Sequence, residues 1–368
     1  MPRPLAAGEA VAFVTIVDRS YAIEPHQNLE SEQASMRLRV GIPARELARS
    51  AKTWLVPLDY FARDPDLQAL GAVGALVIGK LPVSFFTGQA AAAGRLLEAI
   101  ESAARKRRVI VDFSDDLAAA AKMYSAPALA DIQRRLLRAC RATVPTAALR
   151  ERLARDARHA VSVIEDPFEA PAAGAPRFAP GDTLRLAWFG VFGPPLKPFL
   201  EGAFGSIARK LAPRPIELAF VTYAGQQALV HELARALRAI HPDFTVRHIA
   251  WSPAATAAAL ADADLVVLPQ DAASDWGRVK SHNRLVESIR AGRFTVASPV
   301  PAYVELDAYA WIGDDLAAGV EWAVSHPDEV RARVTAGQGA IELRFAPAVI
   351  AARWAQVLGV SQAADAPR

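Results

Sequence analysis

Apolar runs of strand length, separated by segments with helical periodicity, constrain the fold of this chain most strongly. In the first half, these runs occupy residues 11–17, 53–58, 74–79, 108–113, 142–146 and 160–166. Runs that are apolar on both faces and alternate with amphipathic helices indicate a parallel sheet covered by helices on both sides. Residues 1–165 are therefore predicted to form a doubly wound, Rossmann-like domain.

The same alternation restarts after a proline-rich segment at residues 166–182, which lacks periodicity and is typical of an interdomain linker. A second doubly wound domain is predicted over residues 183–345, and a closing helix and tail over 346–368. Its strand-like runs lie at 184–190, 215–223, 244–251, 264–270 and 294–299. The predicted fold class is α/β, with two doubly wound Rossmann-like domains facing a cleft and helices at the C-terminus.

Composition narrows the function classes. A chain of 368 residues with 52% hydrophobic and 22% charged residues can bury enough apolar surface for two globular domains. Its net charge of +3 includes no long basic block, which argues against a nucleic-acid partner but allows an anionic substrate or an anionic membrane face. The single cysteine, Cys140, excludes an internal disulfide and zinc sites built from paired cysteines.

Targeting signals and catalytic motifs are not evident. No run of about 18 uninterrupted apolar residues is present, and residues 1–20 lack a small-residue cleavage site. We therefore expect a cytoplasmic protein, with peripheral membrane association left open. The patterns GxGxxG, GxSxG and HExxH and the Walker loop are all missing.

Residues 279–306, "VKSHNRLVESIRAGRFTVASPVPAYVEL", carry the most informative group of polar side chains. Ser281 is predicted to cap a helix, and Lys280 and Arg284 flank that helix end. Free backbone N–H groups at a helix start, together with two cations, suit a diphosphate. A solvated basic helix end explains the same residues equally well.

Glu287 lies one turn beyond Asn283 on this predicted helix, which Gly292 is expected to end. A carboxylate in that position can accept hydrogen bonds from two ribose hydroxyls. It can also pair with Arg284 as an ordinary ion pair three residues apart. The residues alone leave both interpretations open.

The sequence "DLVVLPQD" followed by residues 279–306 resembles the donor-binding segment of the group-one glycosyltransferases of GT-B fold. That family combines an acidic strand start, a helix carrying a ribose-binding glutamate, a motif of the type AxGxPVVAS and a downstream acidic residue. The resemblance covers the predicted second domain; in the first domain it is architectural, supported by "ASMRLRV" and "VPTAALRERL". It implies a nucleotide-sugar donor, a separate acceptor, and no metal or other cofactor.

The resemblance also assigns roles to single residues. Glu287 matches the second glutamate of the family's E-x7-E motif, which contacts the ribose. Val279 stands where the first glutamate is expected, so the usual contact to the transferred sugar is missing. Lys280 and Arg284 lie near the family's diphosphate-binding groups, and Asn283 is a further donor-site candidate.

Two other segments of the second domain are donor-site candidates. Gly190 and Gly193 follow its first strand, where glycine lets the backbone approach a phosphate, although a plain tight turn is an equal alternative. By resemblance, Lys197 is the basic residue that follows this turn. Trp251 and Ser252 end the third strand, where related proteins hold the nucleotide base; a core role for Trp251 is the alternative.

The first domain offers acceptor-side candidates in the polar connection at residues 18–40. His26 is a candidate base for an inverting reaction, because imidazole titrates near neutrality, but an exposed bystander is the more frequent case. Arg37 and Arg39 alternate as strand neighbours do, so one is expected to reach a phosphate while the other is solvated.

Three carboxylates, those of Asp112, Asp115 and Asp116, cluster at the end of one predicted strand. They could bind a divalent cation, supply a catalytic base or cap the next helix. We favour capping or acceptor contacts, because the resemblance implies no metal triplet.

The function favoured by the sequence is transfer of a sugar from a nucleotide-sugar donor to a glycan, lipid or small-molecule acceptor. The missing first glutamate keeps open a catalytically inactive nucleotide-binding or assembly protein of the same fold. A different two-domain enzyme, such as a sugar-nucleotide epimerase, is a third interpretation, since fold alone does not determine function.

Overall fold

A computed structural model describes residues 4–361, except for 7, 28, 80, 82–85, 87–89, 171 and 194–195. Residues 362–368 of the predicted tail lie outside the described residues. The chain divides into two compact units, one formed by Met1–Pro167 with Phe345–Arg368 and the other by Phe168–Arg344. No helix among the described residues is both long and apolar enough to cross a lipid bilayer.

The first unit is built on a twisted sheet with the strand order β2-β3-β1-β4-β5-β6-β7. Only the short β2 runs antiparallel to its neighbour among the described strands. The strands are β1 (Ala10–Thr15), β2 (Tyr21–Ala22), β3 (Thr53–Pro57), β4 (Val73–Gly79), β5 (Arg108–Asp112), β6 (Arg141–Val144) and β7 (Val161–Val163). Every residue of β1 is buried, as are all but one residue each of β4 and β5, which explains their continuous apolar sequences.

The second unit contains a parallel sheet with the strand order β10-β9-β8-β11-β12-β13. The strands are β8 (Leu184–Phe189), β9 (Ile216–Thr222), β10 (Phe244–Ala250), β11 (Leu265–Leu268), β12 (Phe294–Ala297) and β13 (Trp311–Ile312). This is the strand order 3-2-1-4-5-6 of a doubly wound dinucleotide-binding fold. The strands added along the chain change from one side of β8 to the other between β8 and β11, while all of them stay parallel.

Helices cover both sheets. In chain order they are α1 (Ala34–Met36), α2 (Ile42–Leu47), α3 (Leu58–Arg63), α4 (Ala90–Lys106), α5 (Leu117–Met123), α6 (Ala128–Ala139), α7 (Ala147–Leu153), α8 (Lys197–Leu211), α9 (Gln227–Ile240), α10 (Pro253–Asp262), α11 (Asn283–Arg290), α12 (Pro301–Val304), α13 (Leu316–Ser325), α14 (Pro327–Phe345) and α15 (Pro347–Leu358). Single turns of 3-10 helix lie at Gln68–Leu70, Ala224–Gln226 and Asp307–Tyr309.

Each sheet has its own hydrophobic core. In the first unit, Phe13 of β1 packs edge-to-face on Trp354 of α15, with ring centres 6.1 Å apart, so the closing helix belongs to this unit. In the second unit, Trp188 of β8 stacks on Phe220 of β9, with ring centres 4.3 Å apart. The predicted α/β class with two doubly wound domains is confirmed.

The prediction that Arg37 and Arg39 alternate as strand neighbours is wrong. These residues begin a π-helical turn, Arg37–Gly41, that joins α1 to α2. Two charged residues separated by one apolar residue fit a strand or a wide helical turn equally well, and the helices on either side decide the outcome here.

Candidate functional site

The carboxyl ends of β8 and β11 form the center of the candidate site. Open parallel sheets bind ligands where the strand order reverses, because the loops that follow the two strands diverge there. Gly190 directly follows β8, and Gln270 lies two residues after β11. The side chain of Arg284 on α11 bonds to Gln270, and it would meet a Cβ atom added to Gly190.

Arg284 reaches this point with its guanidinium group. Its Nη1 donates to the Phe189 carbonyl oxygen at 3.5 Å, and its Nη2 donates to Gln270 Oε1. Gly190 has a φ of +152°, and a Cβ atom on it would lie 3.2 Å from Arg284 Nη1, so a larger residue would crowd the guanidinium. Within the described ranges, no carboxylate lies at ion-pair distance from Arg284, and its charge is uncompensated there.

The start of α11 differs from the sequence prediction. The residue at the N-cap is His282, and no side chain caps this helix end, so the prediction that Ser281 caps it is wrong. His282 is buried, and its Nε2 donates to Glu305 Oε2 at 3.2 Å. The hydrogen bond from His282 lowers the pKa of Glu305 to about 2, an effect that partial burial opposes and Arg344 reinforces.

Lys280 and Asn283 lie on either side of His282. The Lys280 ammonium is 3.7 Å from the centre of the Trp276 ring, a close cation–π contact. The Asn283 Nδ2 atom is buried and has no hydrogen-bond partner among the described residues. An unpaired buried amide donor is costly, which makes Asn283 a candidate for a ligand contact.

Glu287 accepts a hydrogen bond from the backbone N–H of Glu169, with an N–Oε1 distance of 2.6 Å. Burial raises the pKa of its carboxyl to about 7, against the lowering effect of the Glu169 and Ala170 backbone N–H groups. The ion pair with Arg284 that the sequence allowed is not formed, since Arg284 turns to Gln270 instead.

Described residues on either side of position 171, from Glu169 to Arg177, form hydrogen bonds with α11 and with the turn that ends it. The Gly174 N–H donates to the Arg290 carbonyl at 2.8 Å, and the Arg290 guanidinium lies 3.5 Å from the centre of the Phe168 ring. Gly292 ends the helix with a φ of +76°, as its sequence position predicted. A Cβ atom on Gly174 would lie 2.3 Å from the Ala291 carbonyl oxygen, so this contact requires glycine.

Val279 occupies the position where the resemblance expects a glutamate, and it is only 4% exposed. A carboxylate there would have to be buried, which carries a large free-energy cost unless the charge is paired. Val279 is therefore a buried packing residue of this loop.

The remaining predicted donor residues follow β8 or β10. Lys197 begins α8 and pairs with Glu201 at 2.9 Å and with Glu232 at 3.4 Å, so its charge is already balanced. Gly193 is partly buried in the turn before it. Ser252 caps α10 through its side chain, and the half-buried Trp251 meets Tyr223 edge-to-face, with ring centres 6.4 Å apart.

The first unit contains the predicted acceptor-side residues. His26 is exposed on a turn after β2. Arg39 is buried among Asp112, Asp166 and the Ile164 carbonyl, so the expectation that it faces a phosphate or solvent is wrong. Arg37 is also buried and donates to the Ser31 carbonyl oxygen, which removes it from solvent as well.

Of the two aspartates that follow β5, Asp116 has a structural role. Asp116 is fully buried, caps α5 by accepting from the Ala118 and Ala119 N–H groups, and pairs with Arg152. This is the capping role that the sequence favoured. Asp115 is partly buried beside it. Across the part of the chain that is described, no cluster of three or more His, Cys, Asp or Glu side chains is arranged to hold a metal ion.

Gln270, Tyr223 and Trp276 were not predicted from the sequence as site residues. Tyr223 directly follows β9, and Gln270 lies two residues after β11, so the rule that ligands bind beyond strand ends would have selected them. Trp276 lies in a loop without periodicity, where no comparable signal exists.

Comparisons with known proteins support the fold. The scan against protein-family models finds no match, and the search of curated proteins by sequence finds none. Among solved structures, HepE from Anabaena in complex with UDP and glucose is 12% identical, with a TM-score of 0.66 over 96% of this chain and 100% of HepE. A trehalose-6-phosphate structure from E. coli bound with UDP-2-fluoro glucose is 10% identical, with a TM-score of 0.60 over 96% and 100% of the two chains.

A UDP-forming α,α-trehalose-phosphate synthase from Burkholderia vietnamiensis is similar to the same extent. It is 10% identical, with a TM-score of 0.59 over 95% of this chain and 98% of the synthase. Identities this low establish the architecture alone. The chain therefore has the two-domain fold of the GT-B glycosyltransferases, as the resemblance in its sequence predicted.

Proposed function

We propose that this protein is a nucleotide-sugar-dependent glycosyltransferase whose donor binds to the second unit. The observation that carries the proposal is the uncompensated guanidinium of Arg284 at the reversal point between β8 and β11. A fixed positive charge there stabilises the negative charge that grows on a leaving diphosphate. Because the structural neighbours contain UDP or UDP-glucose, we take UDP as the nucleotide to test.

In this proposal Glu287 holds the ribose. Its carboxylate has acceptor positions beyond those used by the Glu169 and Ala170 N–H groups, and two ribose hydroxyls can occupy them. Lys280 and Asn283, at the start of the same helix, supply further donors to the diphosphate. Trp251, Ser252 and Tyr223 line the strand ends proposed for the base.

The acceptor belongs to the first unit in this proposal. A glycan, a lipid or a small molecule is each compatible with a chain of net charge +3, and peripheral contact with an anionic membrane accompanies the lipid case. His26 and Asp115 are the candidate acceptor-side residues, since Arg37, Arg39 and Asp116 are buried.

Calorimetric titration with UDP tests the donor site. We expect Arg284→Ala to weaken UDP binding by about 10- to 100-fold, the usual size of a lost charged hydrogen bond. Arg209→Ala, on the exposed face of α8, is the matched control and should bind as the wild type does. Absence of UDP binding by the wild type, or an unchanged affinity of Arg284→Ala, would contradict the proposal.

Measuring turnover of UDP-sugars distinguishes a transferase from a protein that only binds the nucleotide. The buried Val279 specifically supports the second candidate, a protein that binds the nucleotide without transferring a sugar. A transferase should release UDP from one of a panel of UDP-sugars, slowly with water and faster with an acceptor. Tight UDP binding without release from any donor would favour the inactive protein.

A further inference from the structure

We infer that Gln270 is a positioning residue that holds the Arg284 guanidinium toward the donor diphosphate while leaving its positive charge uncompensated. The inference rests on the proposed function and adds to it a residue that neither the sequence motifs nor the comparisons assign.

The backbone of Gln270 is fixed between two strands. Its N–H donates to Ser298 Oγ at 3.0 Å, and the Ser298 N–H in turn donates to the Leu268 carbonyl oxygen at 3.2 Å. Leu268 ends β11, and Ser298 directly follows β12 and is buried. The Gln270 side chain therefore starts from a rigid position at the carboxyl edge of the sheet.

Arg284 approaches this position from α11 and is held at two points by neutral oxygens. One is the side-chain oxygen of Gln270, and the other is the Phe189 carbonyl. A long arginine side chain loses several rotamers when it binds a ligand, and a fixed acceptor removes part of that cost beforehand. The guanidinium has more N–H donors than these two oxygens use, so donors remain for phosphate oxygens.

The amide at position 270 matters because it is uncharged. A glutamate there would have the same shape and would still accept the hydrogen bond, but it would neutralise Arg284. Lys197 shows the difference within the same unit, since Glu201 and Glu232 balance its charge. Holding Arg284 with an amide keeps its full attraction for a dianionic ligand.

Two substitutions at position 270 test the inference in the full-length protein. Gln270→Met removes the acceptor without adding charge, and Gln270→Glu keeps an acceptor and adds a negative charge. Gln356→Met, on the exposed face of α15, is the control. UDP binding is measured by calorimetry and uridine binding by ligand-observed NMR, and the midpoint of thermal unfolding reports whether each variant is folded.

We expect Gln270→Met to weaken UDP binding by about tenfold and Gln270→Glu by about 30-fold or more, with uridine binding unchanged in both. In an Arg284→Ala background, Gln270→Met should have no further effect. A role in packing alone predicts the reverse order, because glutamate is the closer match in shape to glutamine.

The inference is overturned if Gln270→Glu binds UDP as tightly as the wild type does. It is also overturned if Gln270→Met weakens UDP binding by the same factor in the Arg284→Ala background as in the wild type. A wild-type protein that binds no UDP would instead overturn the proposed function, and this inference with it. The two failures are therefore distinguishable in one set of titrations.

Discussion

The guanidinium of Arg39 and the carboxylate of Asp112 form a two-point ion pair inside the first unit, with Nε–Oδ2 and Nη2–Oδ1 distances of 3.0 and 2.5 Å. Thr143 Oγ1 also donates to Asp112 Oδ1, at 2.7 Å. The pair joins the π-helical turn to the end of β5 and is shielded from water, since Arg39 is 2% and Asp112 0% exposed at the side chain.

Removing one member of this pair should destabilise the protein strongly. Asp112→Leu leaves a buried guanidinium without its main counter-charge, and we expect a loss of about 3 to 5 kcal/mol in the free energy of unfolding. Urea unfolding measures the loss. Arg63→Met, which breaks the exposed Arg63–Asp59 pair at 3.1 Å, is the control and should cost less than about 1 kcal/mol. Equal effects of the two substitutions would show that the buried pair contributes no more to the free energy of unfolding than the exposed pair does.

The raised pKa of Glu287 predicts a pH dependence of stability. Because its carboxyl has a pKa of about 7 in the folded protein, against an ordinary value of 4.5, the folded state binds the extra proton between these pH values. The stability that Glu287 contributes is present below pH 4.5 and is lost as the pH rises through 7, by an amount on the order of 3 kcal/mol. Glu287→Gln should therefore raise the unfolding temperature at pH 8 relative to the wild type, and should do so much less at pH 5.

Glu24→Gln, on an exposed turn, is the control for this measurement. A Glu287→Gln variant whose unfolding temperature differs from the wild type by the same amount at pH 5 and pH 8 would exclude a titrating Glu287.

Glu305 should show the opposite dependence. Its pKa is lowered to about 2, so its hydrogen bonds with His282 and Arg344 stabilise the protein above about pH 4.5, and this stability is lost as the pH falls toward 2. Glu305→Gln should lower the unfolding temperature at pH 7, with a loss of about 1 to 2 kcal/mol because the carboxyl is partly exposed to solvent. Thermal unfolding at pH 7 and pH 3.5 checks this, and a deficit that does not narrow at the lower pH would be the contrary result.

Gly277 should not tolerate a side chain. A Cβ atom there would lie 1.7 Å from the Asp271 carbonyl oxygen, so Gly277→Ala must distort the loop between Gln270 and Lys280. We expect a loss of about 2 kcal/mol or more in stability, together with weaker UDP binding. Gly202→Ala, on an exposed position of α8 with open space around it, should instead stabilise the protein by about 0.5 to 1 kcal/mol. Comparable unfolding temperatures for both variants would argue against a rigid loop.

The architecture could be predicted because buried parallel strands need continuous apolar sequences. The strand predictions at residues 184–190 and 264–270 correspond to β8 and β11 at Leu184–Phe189 and Leu265–Leu268. The two-residue strands β2 and β13 were missed, since so short a segment carries no periodicity.

The chemistry of the site was harder to predict, because it depends on contacts between residues distant in sequence. Arg284 was selected from its position near a helix start, but its partner Gln270 lies in another loop. The charge of Lys197 is balanced partly by Glu232 on the next helix, and that of Arg39 by Asp112 and Asp166. No local sequence pattern indicates such pairings. The sequence therefore identified charged residues at the right positions, but it did not show which of them are already paired with another side chain.

The hydrogen bonds that Glu169, Gly174 and Arg177 form with α11 and its end also determine where the second unit can be cut from the chain. A fragment beginning at residue 183, just before its first strand, would contain the whole sheet but would lack the backbone N–H groups that bind Glu287 and the ring that covers Arg290. Such a fragment would also lack Phe178, whose side chain is buried in the core of this unit, and would therefore expose the apolar side chains that Phe178 covers. A separately expressed second unit should therefore begin at Phe168.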